Sequence, residues 1–226
     1  MNAFELAQQR EDFREILRLV RPGARVLDIG CGEGALLELL AREKQIDGRG
    51  LEISPHGVSA CLSRGLAVVQ GDADRDLADF PSQAFDYAIL SQTLQAVRAP
   101  RLVLKELLRI AERAVVSLPN FGYWRVRLSL ATSGRMPMTG SLSEPWYSTP
   151  NIHLCTLRDF TDLCAELGIR IEASAALSDG HPARPMDPSR WSENWRAEQA
   201  IFLLSRPGSS GRTPLPGPPS DDLFAR

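Results

Sequence analysis

The chain has only four cysteines, at positions 31, 61, 155 and 164, with no CxxC pair and no histidine-rich cluster near them. That pattern excludes the usual zinc spacings and a disulfide framework, so no metal is expected. A reducing cytoplasm is then the simplest compartment. Neither sign of charge dominates: 26 Lys and Arg face 28 Asp and Glu, for a formal net charge of -2. Without a basic excess, nucleic acid is not expected as the main partner. No apolar run approaches the length that crosses a membrane. The first residues, MNAFELAQQREDFREILRLV, mix acids and bases from the start and do not read as a secretory leader. No internal repeat is evident.

What is present is an ordinary globular mixture, 43% hydrophobic and 24% charged over 226 residues, enough for one large domain with its own core. Residues 4–20 place apolar side chains at helical spacing, and Pro22-Gly23 then breaks that helix. Strand and helix patterns alternate from there. ARVLDIG, DGRGLEIS, LAVVQGDA, FDYAILSQT and RAVVSLPN read as strands. GALLELLAREK, HGVSACLSRG and APRLVLKELLRIA read as helices, with Gly65 as a C-terminal cap and Pro100 near a start. TLRDFTDLCAELG is a further helix with Thr156 as N-cap and Asp159 completing a variant capping box. IRIEASAAL and AEQAIFLLSR complete a set of seven strands, and SDGHPARPMDPSRWSENWR between them reads as loop. The expected fold is α/β: a Rossmann-like, seven-stranded, mostly parallel sheet with helices on both faces. Residues 1–206 are expected to form a single domain opening on the N-terminal helix. Residues 119–156, rich in Trp, Tyr, Arg and Pro, read as a lid or insertion. The tail 207–226, rich in Pro, Gly and Ser, reads as disordered.

The stretch VLDIGCGEG carries the chemistry. Open parallel sheets bind ligands beyond the carboxyl ends of their strands, where strand order reverses. Gly30, Gly32 and Gly34 allow a tight turn and close approach to a ligand. A dinucleotide loop would read G-x-G-x-x-G and cradle a pyrophosphate. This loop instead has Asp28 ahead of its first glycine, where a pyrophosphate would be repelled. The arrangement suits a ligand carrying an ammonium and a sulfonium: S-adenosylmethionine, or its product S-adenosylhomocysteine. Glu52, ending the second strand, is placed to accept both ribose hydroxyls, with Ile53 beside it. Asp72 is placed to accept from the adenine amino group, and Ala73 to offer its backbone N–H to the ring. Ser91 and Gln92 end the fourth strand beside the methionine part. Cys31 and Glu33 read as loop side chains, Cys31 lining the same site, rather than reactive groups.

These motifs, in this order, resemble the class I S-adenosylmethionine-dependent methyltransferases. The second half names no catalytic residue. The Asn/Asp-Pro-Pro-aromatic clamp that serves base and amide acceptors is absent; LSQTLQAV stands there. His153 is a candidate base, but reads first as a histidine satisfying backbone where a helix begins; His56 and His181 read as structural or solvated. Arg125, Arg127, Tyr123 and Tyr147 could hold a small acceptor, or could be surface and lid packing. The segments ILSQTLQAVRAPRLVLKELLRI, AVVSLPNFGYWRVRLSL, GRMP and WYSTPNIHLCTLRDF, with QGDADRDLADFPSQAFDY, resemble the MetW family of methionine-biosynthesis proteins over about residues 15–180. That resemblance implies a partner protein for a homoserine O-acyltransferase of the MetX type. The Trp/Tyr/Arg-rich insertion has the composition of a protein contact or of a pocket closure. A small-molecule methyltransferase is the alternative.

Overall fold

The computed structural model describes residues 8, 10–140, 142, 144–178 and 181–208. Helix α1 (Glu11–Leu19) leads into β1 (Arg25–Ile29), α2 (Ala35–Lys44), β2 (Asp47–Glu52), α3 (Pro55–Ser63) and β3 (Ala67–Gln70). Then come β4 (Phe85–Ser91), α4 (Pro100–Ile110), β5 (Ala111–Pro119), α5 (Trp124–Ser133) and α6 (Leu157–Glu166). The chain closes with β6 (Arg170–Ser178), β7 (His181–Pro185), α7 (Trp191–Arg196) and β8 (Gln199–Ser205). The part of the first helix before residue 8 and the tail from residue 209 lie outside the described residues.

The strands form one sheet in the order β3-β2-β1-β4-β5-β8-β6-β7. The pairs from β3 to β5 are parallel, while β5–β8, β8–β6 and β6–β7 are antiparallel. The seven strands expected from the sequence are therefore eight. The extra strand, β7, falls in a segment that reads as loop because Pro182 and Pro185 interrupt it. Among the described strands β7 pairs only with β6, and proline is tolerated at such an edge because its missing N–H breaks no ladder. Helix α7, in the same segment, buries none of its residues and so shows no core-facing period. Helix α5 was likewise hidden inside the insertion, with only Val126 buried.

Both faces of the central strands are covered, which is why β1 and β4 read as continuous apolar runs rather than alternating ones. On one face Phe13 and Ile16 of α1 and Leu36, Leu39 and Leu40 of α2 pack on Val26, Tyr87, Ile89 and Val115. On the other, Val103, Leu104, Leu107 and Leu108 of α4 and Phe160 of α6 pack on Leu27, Ile29, Leu90 and Phe202. The α4 residues recur at one and three positions, one stripe of a helix. Thr156 and Asp159 form the expected capping box on α6. No described helix is long and apolar enough to cross a membrane.

Asn120, just past β5, ties the carboxyl end of the sheet to the segments above it. Its Nδ2 donates to the carbonyls of Asn194 (2.9 Å) and Ala197 (2.7 Å). Its Oδ1 accepts from the N–H groups of Gly122 (2.8 Å) and Leu157 (3.3 Å). Both donors and both lone pairs of the amide are thus used, and the residue is 1% exposed. Asn120→Ala should cost about 3 kcal/mol by leaving buried backbone groups unpaired. Calorimetry should record a melting temperature lower by roughly 6–12 °C; a change within experimental error would show that these bonds are replaced by others.

Candidate functional site

The order of the sheet reverses between β1 and β4, and the crevice there opens above the glycine loop. Gly30 has φ of 71°, and its N–H donates to the Leu51 carbonyl at 2.7 Å. A Cβ on Gly30 would lie 2.7 Å from Thr93 Oγ1. Glycine is therefore required both by conformation and by the approach of the chain leaving β4. Glu52, 7% exposed, accepts the Gly32 N–H on one carboxylate oxygen and the Ser54 N–H on the other, each at 2.8 Å. These bonds fix the carboxylate while leaving each oxygen a second lone pair for a ligand. Gly57, in the first turn of α3, was not singled out from the sequence. A Cβ there would stand 2.8 Å from both the Gly32 carbonyl oxygen and Glu52 Cγ.

Asp28 is the penultimate residue of β1, in a stretch buried on both sides, and is 2% exposed. No hydrogen bond from a described residue reaches its carboxyl group. Burial, and secondly the neighbouring Glu52, push its pKa from 3.8 up to about 7. A cationic group in the crevice would favour its ionised form. Asp28 is not itself among the residues lining the crevice; a buried acid beside the glycine loop is chemically compatible with an ammonium group brought close to it.

The crevice, about 340 Å³, is walled by Gly30, Ile53, Asp72, Ala73, Thr93 and Ile152, among others. Ile53 is 62% exposed, an apolar face left open toward the crevice. Asp72 Oδ1 takes the Asp74 N–H at 2.9 Å, while the Ala73 N–H has no partner among the described residues. Asp74 accepts from the N–H groups of Arg98 and Ala99, holding the start of α4 against the crevice. Thr93 and Asp74 thus belong to this wall, although nothing in their local pattern announced it.

Other expected site residues lie elsewhere. Ser91 Oγ is paired with Ser117 Oγ (3.3 Å) rather than lining the crevice. Gln92, at φ 50°, directs its amide nitrogen to Gln199 (3.1 Å) and Asp12 (3.5 Å) and lines a second cavity. The Gly32 and Gly34 backbones form the loop and the left-handed cap of α2, and Cys31 Sγ turns away toward Cys61 (3.8 Å). Burial raises the pKa of all four thiols, so none is poised as a nucleophile. Among the described residues no cluster of His, Cys, Asp and Glu could hold a metal ion.

The second cavity, about 430 Å³, lies under the 134–154 segment and is lined by Gln92, Gln95, Phe121, Glu144, Trp146 and Leu154, among others. The candidate acceptor-holding residues do not line it. Arg125 and Arg127 sit over the rings of Trp124 and Trp195, Tyr147 is 75% exposed, and Tyr123 is buried beside Val126. His153 lines a smaller cavity beside Asp159 and Phe160, His56 faces Glu33 in solvent, and His181 opens the edge strand.

A family model, methionine biosynthesis protein MetW, matches residues 10–204. A bifunctional methionine biosynthesis protein MetXA/MetW from Rhodopirellula baltica is 35% identical over 204 residues, 86% of this chain and 32% of that protein. Ajmaline N-methyltransferase from Rauvolfia serpentina is 24% identical over 73% of this chain and 56% of the enzyme. The chain thus spans about a third to about half of these relatives. Among solved structures, an S-adenosylmethionine-dependent methyltransferase from Thermotoga maritima superposes with a TM-score of 0.65 at 18% identity, covering 90% of this chain and 92% of that one. One from Mesorhizobium loti superposes with a TM-score of 0.64 at 18% identity, covering 88% and 100%. The architecture is that of the class I methyltransferases.

The raised Asp28 pKa makes a test. Its folded value lies above its unfolded one, so its contribution to stability is present below about 3.8 and is lost as pH rises through about 7. Asp28→Asn should match wild type at pH 4 and melt roughly 9–17 °C higher at pH 8. Melting curves that differ by the same amount at both pH values would contradict the assignment.

Proposed function

The chain belongs to the MetW family of methionine biosynthesis proteins, and from that premise we propose that it binds S-adenosylmethionine or S-adenosylhomocysteine and supports a homoserine O-acyltransferase of the MetX type. The observation that carries the partner is the Rhodopirellula protein, in which a chain like this one is joined to a MetXA part in a single polypeptide. Fusion keeps two modules at a high effective concentration, which is useful where the two act together. The cofactor reading rests on the buried Asp28 and the fixed Glu52.

In this reading Asp28 faces the ammonium end of the ligand, Glu52 accepts from the ribose hydroxyls, and Asp72 with the Ala73 N–H meets the adenine. Ile53 and Val97 supply apolar cover. When bound, S-adenosylmethionine supplies a methyl group already activated by its sulfonium. The described residues around the crevice provide binding and orientation but no evident base. That balance favours a ligand used as a signal over one consumed in methyl transfer. Ile152 links the crevice to the lid: it lines the crevice, and its N–H and that of His153 donate to the Gln95 carbonyl at 2.9 Å. Occupancy can reach a partner only if the ligand prefers one arrangement of that segment.

A second reading is methyl transfer to a small molecule, favoured by the 430 Å³ cavity beside Gln92 and Gln95. The acceptor would then rest on those amides rather than on Arg125, Arg127 or Tyr147.

Homoserine acylation by the cognate acyltransferase should rise when this protein is added, and the response to S-adenosylmethionine should vanish in Glu52→Ala. An unchanged rate with no co-migration of the two proteins would return methyl transfer to first place. A Glu52→Ala protein that no longer binds the ligand yet leaves the partner's response intact would overturn the signalling role.

A further inference from the structure

Helices α5 and α7 lie side by side at the carboxyl end of the sheet. Asn120 fixes both: it donates to the carbonyls of Asn194 and Ala197 in and beyond α7 and accepts from the Gly122 N–H just ahead of α5. The helices meet where the Arg127 guanidinium lies 5.4 Å from the centre of the Trp195 ring. On α5, Trp124 stands three positions from Arg127 and four from Leu128, so all three share a face. On α7, Trp191 and Trp195 stand four apart and share a face in the same way. None of these apolar side chains is buried; Trp191 is 77% and Leu128 53% exposed. Contiguous apolar groups of this size, left in water, mark interaction sites.

The charge around them has one sign. Residues 120–143 hold three arginines and neither Asp nor Glu, in a chain whose net charge is -2. Arg125 stacks over Trp124, and Arg127 donates from Nε to the Gly122 carbonyl at 2.6 Å. Neither forms an ion pair with a described residue, and Glu193, the one acid of α7, is taken by Arg184 at 2.6 Å. The arginines are thus uncompensated, yet already held by rings and a carbonyl, so little side-chain freedom is left to lose on docking.

We propose that this face of α5 and α7 docks a protein whose facing surface is acidic with apolar recesses, and that the occupant is the MetX-type acyltransferase. The inference rests on the reading of the chain as a partner of that enzyme and adds where the contact is made. Tryptophan and arginine are the side chains that dominate binding energy at protein contacts. Their positive charge selects an acidic face. It disfavours a second copy of this chain, because a two-fold contact through the patch would set arginines against arginines. The Rhodopirellula relative, in which a chain like this one is joined to a MetXA part, supplies the protein that has to meet such a surface. A lipid surface would also accept rings and cations, but it has no fixed shape to reward their tethered geometry.

The test is calorimetric titration of the full chain with its cognate acyltransferase, at low and at high salt. Trp191→Ala and Leu128→Glu should each weaken binding by about 30-fold or more. Arg125→Glu should weaken it by about 10-fold at low salt and by less at high salt, where the charge is screened. Leu102→Ala, at a comparably exposed apolar side chain of α4, should leave binding unchanged. Melting temperature and affinity for S-adenosylhomocysteine should match wild type in every variant, since none of these side chains is buried or lines the crevice. Should Leu128→Glu fail to fold, Trp191→Ala decides. Wild-type binding that Trp191→Ala and Arg125→Glu leave intact would overturn the docking surface alone and leave the acyltransferase reading standing. No binding by the wild type would overturn both. Two further results would overturn the assignment of the occupant: retention on phosphatidylserine vesicles that Trp191→Ala abolishes while acyltransferase binding persists, or a dimer of this chain that Leu128→Glu dissociates with the same persistence.

Discussion

Glu52 holds the site together. One carboxylate gathers the N–H of Gly32 from the loop after β1 and the N–H of Ser54 from the start of α3. The same side chain packs so closely on Gly57 that no larger residue fits without movement. Three consecutive elements are therefore registered by one carboxylate. The arrangement has an electrostatic consequence, because it fixes an acid beside the buried Asp28 and helps raise that residue's pKa. Two acids thus lie side by side at the glycine loop, although neither is among the residues that wall the crevice. Preorganised acceptors of this kind favour binding because little has to rearrange when the ligand docks.

Above the sheet the organisation is different. The lid side is held by a few polar junctions rather than by a large apolar core: Asn120 joins β5 to α6 and α7, and Gln95 receives the backbone of Ile152 and His153. Its own apolar cluster is small, built on Tyr123, Val126 and Leu142. All four tryptophans of the chain are at least 36% exposed, two on α7, one on α5 and one in the lid. A part of the molecule with few buried contacts and many hydrogen bonds is where low-cost local rearrangement is expected. The crevice and the 134–154 segment meet at Ile152.

The fold alone decides little about activity, since many chemistries share it. What distinguishes this chain is the content of its cavities. The crevice carries Asp72, Asp74 and Arg98 in its wall, whereas the second cavity is largely apolar, with Gln92, Gln95, Glu144, Thr149 and Asn151 as its polar residues. The arginines that the composition of the insertion brought to attention face outward, stacked on Trp124 and Trp195. Sequence composition reported their presence in the segment, but the direction in which they point depends on how α5 lies over the sheet.

The strand–helix alternation, the glycine loop, the capping box of α6 and the acids at the ends of β1 and β2 were all legible in the sequence, because each is a local pattern imposed by backbone geometry or by strand periodicity. The family resemblance was legible too, and it extends further, to residues 10–204. The eighth strand and helix α7 were not, because an edge strand tolerates prolines and a helix that buries nothing carries no period. Tertiary structure alone decided that Ser91 pairs with Ser117, that Thr93 and Asp74 wall the crevice, and that Gln95 keeps an unpartnered oxygen. Asn120 makes the reason plain: its partners lie 37, 74 and 77 residues away. No local pattern encodes them, and only the packing of α6, α7 and β8 at the end of β5 brings them within reach.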